Sequence, residues 1–408
     1  MVYQNATHAL GWDAMNLHEF QAKELLARSG ILVPKGRVVD SSAAAESSAR
    51  ELECRRYAVK AQIYGGDRAA HGGVVLASSP AEVRSATEAL LGKRLITSQT
   101  GPKGSIVRLV YVEEAIEDAR HLYAAVALDR KSGRVVLLAS DRGGDDIEER
   151  ASRDKHLIQR ERLTIGSGTA SGDFAGMARR IGLQGAAAKA AGDLFKTLAE
   201  TFVALDATVL EVNPLALTAD DRLIALDAKL AIDDNALHRH PDLARLRDIF
   251  EGEERGSIEL EAQRHHINYI QMDGSVGMVV NGAGLALATL DLVCDAGGSP
   301  ANFMDIRTTA SSLDVAYGFG MILANKNARS VLVNVHGGGM QPCDTIAEGI
   351  GIAVSRAERT IPIVICMAGN NAEFARTVLA NTGVRHVASN DAWDAAQKAV
   401  SLAAGEAR

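Results

Sequence analysis

The run "LEVNPLALTADDRLIALDAKL", residues 210–230, spends three inward positions of two strand-like apolar stretches on Glu211, Asn213 and Asp227. A buried carboxylate is unfavourable by several kcal/mol, roughly, unless a cation, a polar partner or water compensates it. Glu211 and Asn213 are two apart, so on a strand they share a face. A hairpin centred on Asp220 sets Asn213 opposite Asp227 and brings all three side chains to one patch. Hard oxygen ligands of this kind suit Mg2+, which takes few protein carboxylates and leaves its other positions to water and phosphate oxygens. An ordinary polar sheet face, with Asp220 and Asp221 in an exposed turn, accounts for the same letters without a ligand.

Lys60 is the second residue with chemistry in its placement. In "YAVKAQI" it lies on the face opposite Val59 and Ala61, directly before the glycine turn "YGGDRAAHGG", which carries Asp67, Arg68 and Ala69. A strand lysine reaching toward phosphates beneath a Gly-rich loop is a recurrent nucleotide-binding arrangement. Glu113 or Glu114, closing "RLVYVEE", is placed to accept hydrogen bonds from a ribose or a base. An exposed edge lysine and a strand-end glutamate are equally compatible with these short segments.

The elements that must carry these residues follow from periodicity. "NLHEFQAKELLARSG" reads as a helix stopped by Gly30, and "RYAVKAQI", "SIVRLVYVEE", "HLYAAVALD" and "RVVLLAS" read as strands of an antiparallel sheet. "GLQGAAAKAAGDLFKTLAETFVALDA" predicts a long helix leading into the 210–230 hairpin. Charges crowd between Asp242 and Arg264, which marks a boundary between two halves. After it come four units of apolar strand, small-residue turn and helix, beginning at "VGMVV", "ANFMDI", "SVLVNV" and "IPIVICM". That rhythm predicts a doubly wound parallel sheet with ligand sites at the carboxyl ends of its strands.

Composition narrows the class. A chain of 408 residues with 47% hydrophobic and 4% aromatic content and 38 glycines fits a multidomain α/β enzyme. The net charge of −7 argues against a general nucleic-acid or anionic-membrane surface. The four cysteines show no Cys-x-x-Cys spacing, and "MVYQNATHALGWDA" has neither the basic nor the apolar segment of a secretory signal, so a cytoplasmic protein is expected. The most apolar window, from Val276 to Val293, is broken by Asn281, its neighbouring glycines and Asp291, and is read as strand and helix.

Together these stretches resemble the β subunit of succinyl-CoA synthetase and the related malate-CoA ligase, within the ATP-grasp superfamily. The likeness runs from Met15 almost to the C-terminus and is carried by "MNLHEFQAKELL", "AVKAQIY", "LLGKRLITSQTG", "LEVNPLAL", "ALDAKLAIDDNAL", "VNGAGLALATLDLV", "GGSPANFMD" and "GNNAE". It implies an N-terminal extension or a misplaced start over 1–14, since Met15 sits where the family begins, then an ATP-grasp domain of two α+β subdomains over 15–255 and a flavodoxin-like domain over 256–408. It further implies that Lys60 and Arg68, in a loop with Asp67 and Ala69, hold nucleotide phosphates, and that Glu113 and His121 lie near the nucleoside. Asn213 and Asp227 would bind Mg2+, Glu211 would orient a phosphorylated histidine, and Asn281 with Gly338, Gly339 and Met340 would meet the carboxylic acid.

The implied nucleotide is ATP, with GTP as the alternative. The implied partner is an α subunit carrying the phosphohistidine and most of the CoA site, in an αβ or α2β2 assembly. The sequence departs from the family at several of these positions. Asp67 adds a negative charge to the nucleotide loop, Ala70 stands where a lysine is expected, and His121 stands where a glutamate is common. Arg307-Thr308-Thr309 replaces three glycines, Gln341-Pro342 replaces an arginine in a loop one residue longer, and Cys366 replaces a second arginine. One expectation is a pocket rebuilt for another acid, with Arg307 making a bidentate anion contact. The competing expectations are a non-catalytic regulatory relative and a CoA-independent ATP-grasp ligase.

Overall fold

A computed structural model describes residues 14–97, 100, 104–129, 131–166, 168–246 and 257–405. The chain divides into two compact units, Met1–Asp248 and Ile249–Arg408. Residues 1–13 of the expected extension, and the expected boundary at 255/256, lie outside the described residues.

The first unit begins with β1 (Ala14–Asn16), α1 (Glu19–Arg28), β2 (Gly36–Val39), α2 (Ser42–Leu52), β3 (Tyr57–Gln62), β4 (Val74–Ala77), α3 (Pro80–Leu90) and β5 (Leu109–Glu114). It continues with β6 (Arg120–Asp129), β7 (Arg134–Ser140), α4 (Ile147–Arg153), β8 (Gln159–Arg162), α5 (Gly185–Ala204), β9 (Ala207–Leu217), β10 (Leu223–Ala225) and β11 (Ala228–Asp233). The smaller sheet has the antiparallel order β2–β5–β3–β4. Along β3, Tyr57, Val59 and Ala61 enter a core with Ala45 and Ala49 of α2 and Val83 and Leu90 of α3. The two-residue period then turns Lys60 and Gln62 to the other face, where both are still buried.

The larger sheet has the order β1–β11–β9–β6–β7–β8, with β10 also on β9. Ala191, Phe195, Leu198 and Phe202 on one stripe of α5 pack on Leu122, Ala124 and Val126 of β6 and on Leu210 and Val212 of β9. That packing turns Glu211 and Asn213 to the opposite face of β9. The hairpin register is symmetrical about residue 220, with Leu217 opposite Leu223, Leu215 opposite Ala225 and Glu211 opposite Lys229. Asn213 N donates to Asp227 O at 3.2 Å, the cross-strand pairing expected from the hairpin.

The second unit contains β12 (Ile267–Gln271), β13 (Val276–Val280), α6 (Ala283–Asp295), β14 (Asn302–Ile306), α7 (Ser312–Ala324) and β15 (Ser330–Gly337). Its remaining elements are α8 (Cys343–Arg356), β16 (Ile363–Gly369), α9 (Ala372–Asn381), β17 (Val387–Ser389) and α10 (Ala392–Ala404). The sheet order is β12–β14–β13–β15–β16–β17, parallel except for β12, which pairs antiparallel at the edge. Phe319, Ile346 and Leu379 from α7, α8 and α9 cover one face, and Val293, Ala395 and Ala399 from α6 and α10 cover the other. The strand order reverses between β13 and β15, which makes the crevice at their carboxyl ends the expected ligand position. Among the described residues, no helix is long and apolar enough to cross a membrane.

Candidate active site

In the first unit, a cleft of about 260 Å3 is lined by Leu17 between β1 and α1, by Glu19 at the start of α1, by the loop after β3 from Ile63 to Arg68, and by Glu211, Asn213 and Asp227. Its wall is an ion cluster. Glu19 Oε1 lies 2.8 Å from Lys23 Nζ and 2.9 Å from Lys60 Nζ, and Glu19 Oε2 accepts from Arg68 Nη2 at 2.6 Å. Arg68 Nη2 also reaches Asp227 Oδ2 at 2.6 Å, and its Nη1 donates to Ala61 O at 2.9 Å. Lys60 Nζ further donates to Leu226 O at 2.6 Å and pairs with Glu113 Oε1 at 2.7 Å.

The electrostatics follow from this packing. Burial opposes charge on Glu19, but Arg68, Lys23 and Lys60 outweigh it and hold the carboxyl well below its ordinary range. Burial likewise opposes charge on Lys60, and the carboxylates of Glu113, Glu19 and Asp227 outweigh it, so the ammonium is held above the usual lysine range. The chemical result is a cationic pair, Lys60 and Arg68, kept charged out of water beside the cleft. Such a pair is suited to phosphate oxygens.

Beside Asp227 in the hairpin, the Asn213 amide is fixed by Gly144. Asn213 Oδ1 accepts from Gly144 N at 2.7 Å and Nδ2 donates to Gly144 O at 3.2 Å. A carbonyl oxygen with one donor keeps a second lone pair, so this contact leaves Asn213 Oδ1 able to ligate a cation. With Asp227 it forms a hard oxygen donor set of the kind magnesium uses. Among the described residues, no three His, Cys, Asp or Glu side chains are gathered as a metal cage. Magnesium does not require one when water and phosphate complete its shell.

Two acids that the sequence reading does not single out, Asp145 and Glu148, also line the cleft. Burial pushes the Asp145 carboxyl above its ordinary value, with Asp67 and then Asp227 adding repulsion, while a hydrogen bond from the Ala70 backbone offsets part of the rise. The position where a lysine is expected therefore contributes a backbone donor to Asp145. Glu19 is equally absent from the sequence reading. Its only local signal is Lys23 four residues on, an ordinary helical ion pair.

The remaining expected nucleotide residues are placed differently. Glu113 is buried behind the cleft, with Oε2 2.6 Å from Lys23 Nζ. Ala69 and His121 are exposed and are not part of the cleft lining, and His121 lies on β6 opposite Ala216 of β9.

His18 sits immediately before α1, stacked on Tyr64 with ring centroids 4.2 Å apart. Burial and the nearby Arg68 charge lower its pKa to about 4. The unfolded imidazole takes a proton as pH falls through 6.5, whereas the native one does so only near 4. His18 therefore withdraws stability over that window, by about 3 kcal/mol at its lower end. Urea unfolding at pH 7 and pH 4.5 should show His18→Gln losing less stability than the parent chain. Equal losses would remove His18 from the account.

In the second unit, Asn281 and the 338–340 loop follow β13 and β15 at the point where strand order reverses. Asn281 Nδ2 donates to His336 O at 2.8 Å and Asn281 Oδ1 accepts from His336 N at 2.9 Å, so the side chain clips the two strand ends together. His336 spends its backbone on this clip. Met340 is 72% exposed. Gln341 is buried, and with its amide nitrogen facing the neighbouring carbonyls it donates to Thr308 O at 3.2 Å and Ala310 O at 3.3 Å. Two altered loops are thereby tied to each other.

The Arg307 side chain turns toward the edge strand β12. Its Nε and Nη2 both donate to Asn268 Oδ1, at 3.1 and 2.8 Å, on β12. β12 flanks β14 on the side away from β13 and β15.

Residues 16–217 match the family described as the ATP-grasp domain, and residues 279–400 match the family described as CoA-ligase. The chain is 42% identical over 390 residues to the succinate–CoA ligase [ADP-forming] subunit beta of Solibacter usitatus (strain Ellin6076), covering 96% of this chain and all of that one. It is 41% identical over 396 residues to the subunit of the same name from Acidiphilium cryptum (strain JF-5), covering 95% and 98%. Among solved structures, an ATP citrate lyase from Methanothrix soehngenii in complex with citrate and coenzyme A shares the fold. That likeness has a TM-score of 0.68 at 15% identity and covers 96% of this chain and 100% of that one.

Proposed function

Because the chain belongs to the family of succinate–CoA ligase [ADP-forming] β subunits, we propose that its first unit transfers phosphoryl groups between a nucleotide and a histidine on an α subunit. The reaction class is acid plus CoA plus nucleoside triphosphate giving acyl-CoA, nucleoside diphosphate and phosphate. The nucleotide is ATP, with GTP as the alternative, and the α subunit carries most of the CoA site. The assembly is αβ or α2β2, and it works in the cytoplasm. The working parts are an ATP-grasp domain over 15–255 and a flavodoxin-like domain over 256–408, after an extension at 1–14.

The observation that supports this reading most is the cleft lined together by Arg68, Asp227, Asn213 and Glu211, with Lys60 buried beside it and tied to it through Glu19. Lys60 and Arg68 offset charge on the phosphate oxygens, with Asp67 and Ala69 in the same loop. Asn213 and Asp227 would hold Mg2+, which neutralises charge on the transferring phosphoryl group when bound. Glu211 accepts a hydrogen bond from the partner's imidazole and so aligns the other ring nitrogen for phosphoryl transfer. Glu113 and His121 act from outside the cleft lining, on the nucleoside side. Asn281, Gly338, Gly339 and Met340 meet the carboxylic acid at the strand-order reversal.

A second reading, a ligase for a different small acid, is favoured by the buried Gln341 tie between the two altered loops. Arg307 then contributes through the guanidinium N–H groups that it does not give to Asn268. The test is acyl-CoA formation by this chain co-purified with an α-type partner, using Mg·ATP or Mg·GTP and succinate, malate and other small acids. Turnover with one of the acids supports the reading and names the substrate. A stable complex without turnover on any of them would favour the regulatory alternative.

A further inference from the structure

Three carboxylates share the cations of the cleft wall, and they do so unequally. Glu113 pairs with Lys60 and Lys23, and Asp227 pairs with Arg68. Glu19 spans Lys60 and Arg68, with one oxygen on each, and Gln62 Nε2 lies 3.4 Å from its Oε2. Its side chain is only 2% exposed, and its backbone is set by the first turn of α1, where Gln21 caps His18 N at 2.8 Å. Glu113 and Leu226 O also hold Lys60, and Asp227 and Ala61 O also hold Arg68, but Glu19 contacts both cations and so links their positions to each other. Lysine and arginine stems are otherwise rich in rotamers, so an arrangement fixed beforehand lowers the cost of binding a polyphosphate.

We propose that Glu19 is a positioning residue for nucleotide binding, clamping Lys60 and Arg68 in the spacing that meets adjacent phosphate oxygens. The proposal rests on the reading of Lys60 and Arg68 as phosphate ligands. Charge balance alone is a different role, and the cluster allows the two to be separated. Lys23, Lys60 and Arg68 face Glu19, Glu113 and Asp227, so removing Glu19 together with Lys23 leaves cations and anions equal. The double change Glu19→Gln with Lys23→Met thus keeps the local charge while abolishing the clamp. Glu19→Asp keeps the charge with every residue ionised but is one methylene too short to span both partners.

The experiment measures Mg·ADP affinity by calorimetry, melting temperature, and KM for the acid, all in the complex with the α subunit. Glu19→Gln alone should melt lower, and the double variant should recover most of that loss. Both the double variant and Glu19→Asp should bind Mg·ADP about tenfold or more weakly, because misplacing a binding group by about an ångström costs that much. KM for the acid should not move. Full Mg·ADP affinity in either variant would overturn the proposal, as would a rise in acid KM matching the loss of nucleotide affinity. Lys60→Ala is measured alongside: undiminished Mg·ADP affinity there would remove the phosphate-ligand premise itself, an outcome distinct from failure of the clamp.

Discussion

Lys60→Ala, in the assembled enzyme, is expected to lower nucleotide-dependent turnover by about 10²- to 10³-fold, the usual cost of removing one fixed donor from a developing charge. The ammonium lies out of water with its three N–H groups on Glu19, Glu113 and Leu226 O, so its position is set before any ligand arrives and a phosphate oxygen takes one of those bonds by exchange. The same contacts predict a second effect. Taking away one member of a buried ion cluster leaves uncompensated charge, and the first unit should lose about 3–5 kcal/mol of stability. Lys60→Arg separates the two effects: it keeps a charge for Glu113 but not the compact ammonium geometry. Stability should return in part while turnover stays low. If Lys60→Arg and Lys60→Ala both bind Mg·ADP as the parent does, the lysine is structural only.

Glu211→Gln should give a different pattern, a large loss of turnover with nucleotide affinity kept. Glu211 is half-buried on the open face of β9 and lines the cleft, opposite Lys229 in the hairpin register. The amide keeps the shape but loses the charge that favours an imidazole N–H and the positive charge that develops on the ring as it takes the phosphoryl group. A fall of about 10²- to 10⁴-fold in phosphoryl transfer is the range for a positioned proton-handling group. Calorimetry with Mg·ADP and melting curves are the controls. A loss of affinity in step with turnover would place Glu211 among the nucleotide ligands instead.

The legible part of this protein is the part with local period. The hairpin around residue 220 follows from alternation in two apolar runs separated by Asp220 and Asp221, and its register brings Asn213 to Asp227 as the sequence implies. The four strand-turn-helix units of the second half are equally readable, because each strand is buried on both faces and each turn is rich in small residues. The antiparallel edge strand β12 carries a mixed pattern, "INYIQ", without a turn signal that assigns its direction.

The site is less legible because its bonds are long-range. Glu19 meets Lys60 and Arg68 across 41 and 49 residues, and Lys23 meets Glu113 across 90. No local spacing encodes such pairs, so "HEFQAKELL" reads as an amphipathic helix and nothing more. Glu113 at a strand end gives no local sign that Lys23 of α1 pairs with it. Arg307 likewise gives no local sign that Asn268 of β12 accepts two of its donors. In each case the type of residue was readable and its partner was not.

The most direct test of the central claim is to incubate the chain, co-purified with its α-type partner, with Mg2+ and γ-labelled ATP or GTP and to follow the label. The account predicts acid-labile, base-stable label on a histidine of the partner, abolished by Glu211→Gln and cleared by acid plus CoA. Nucleotide binding with no label on the partner would contradict it.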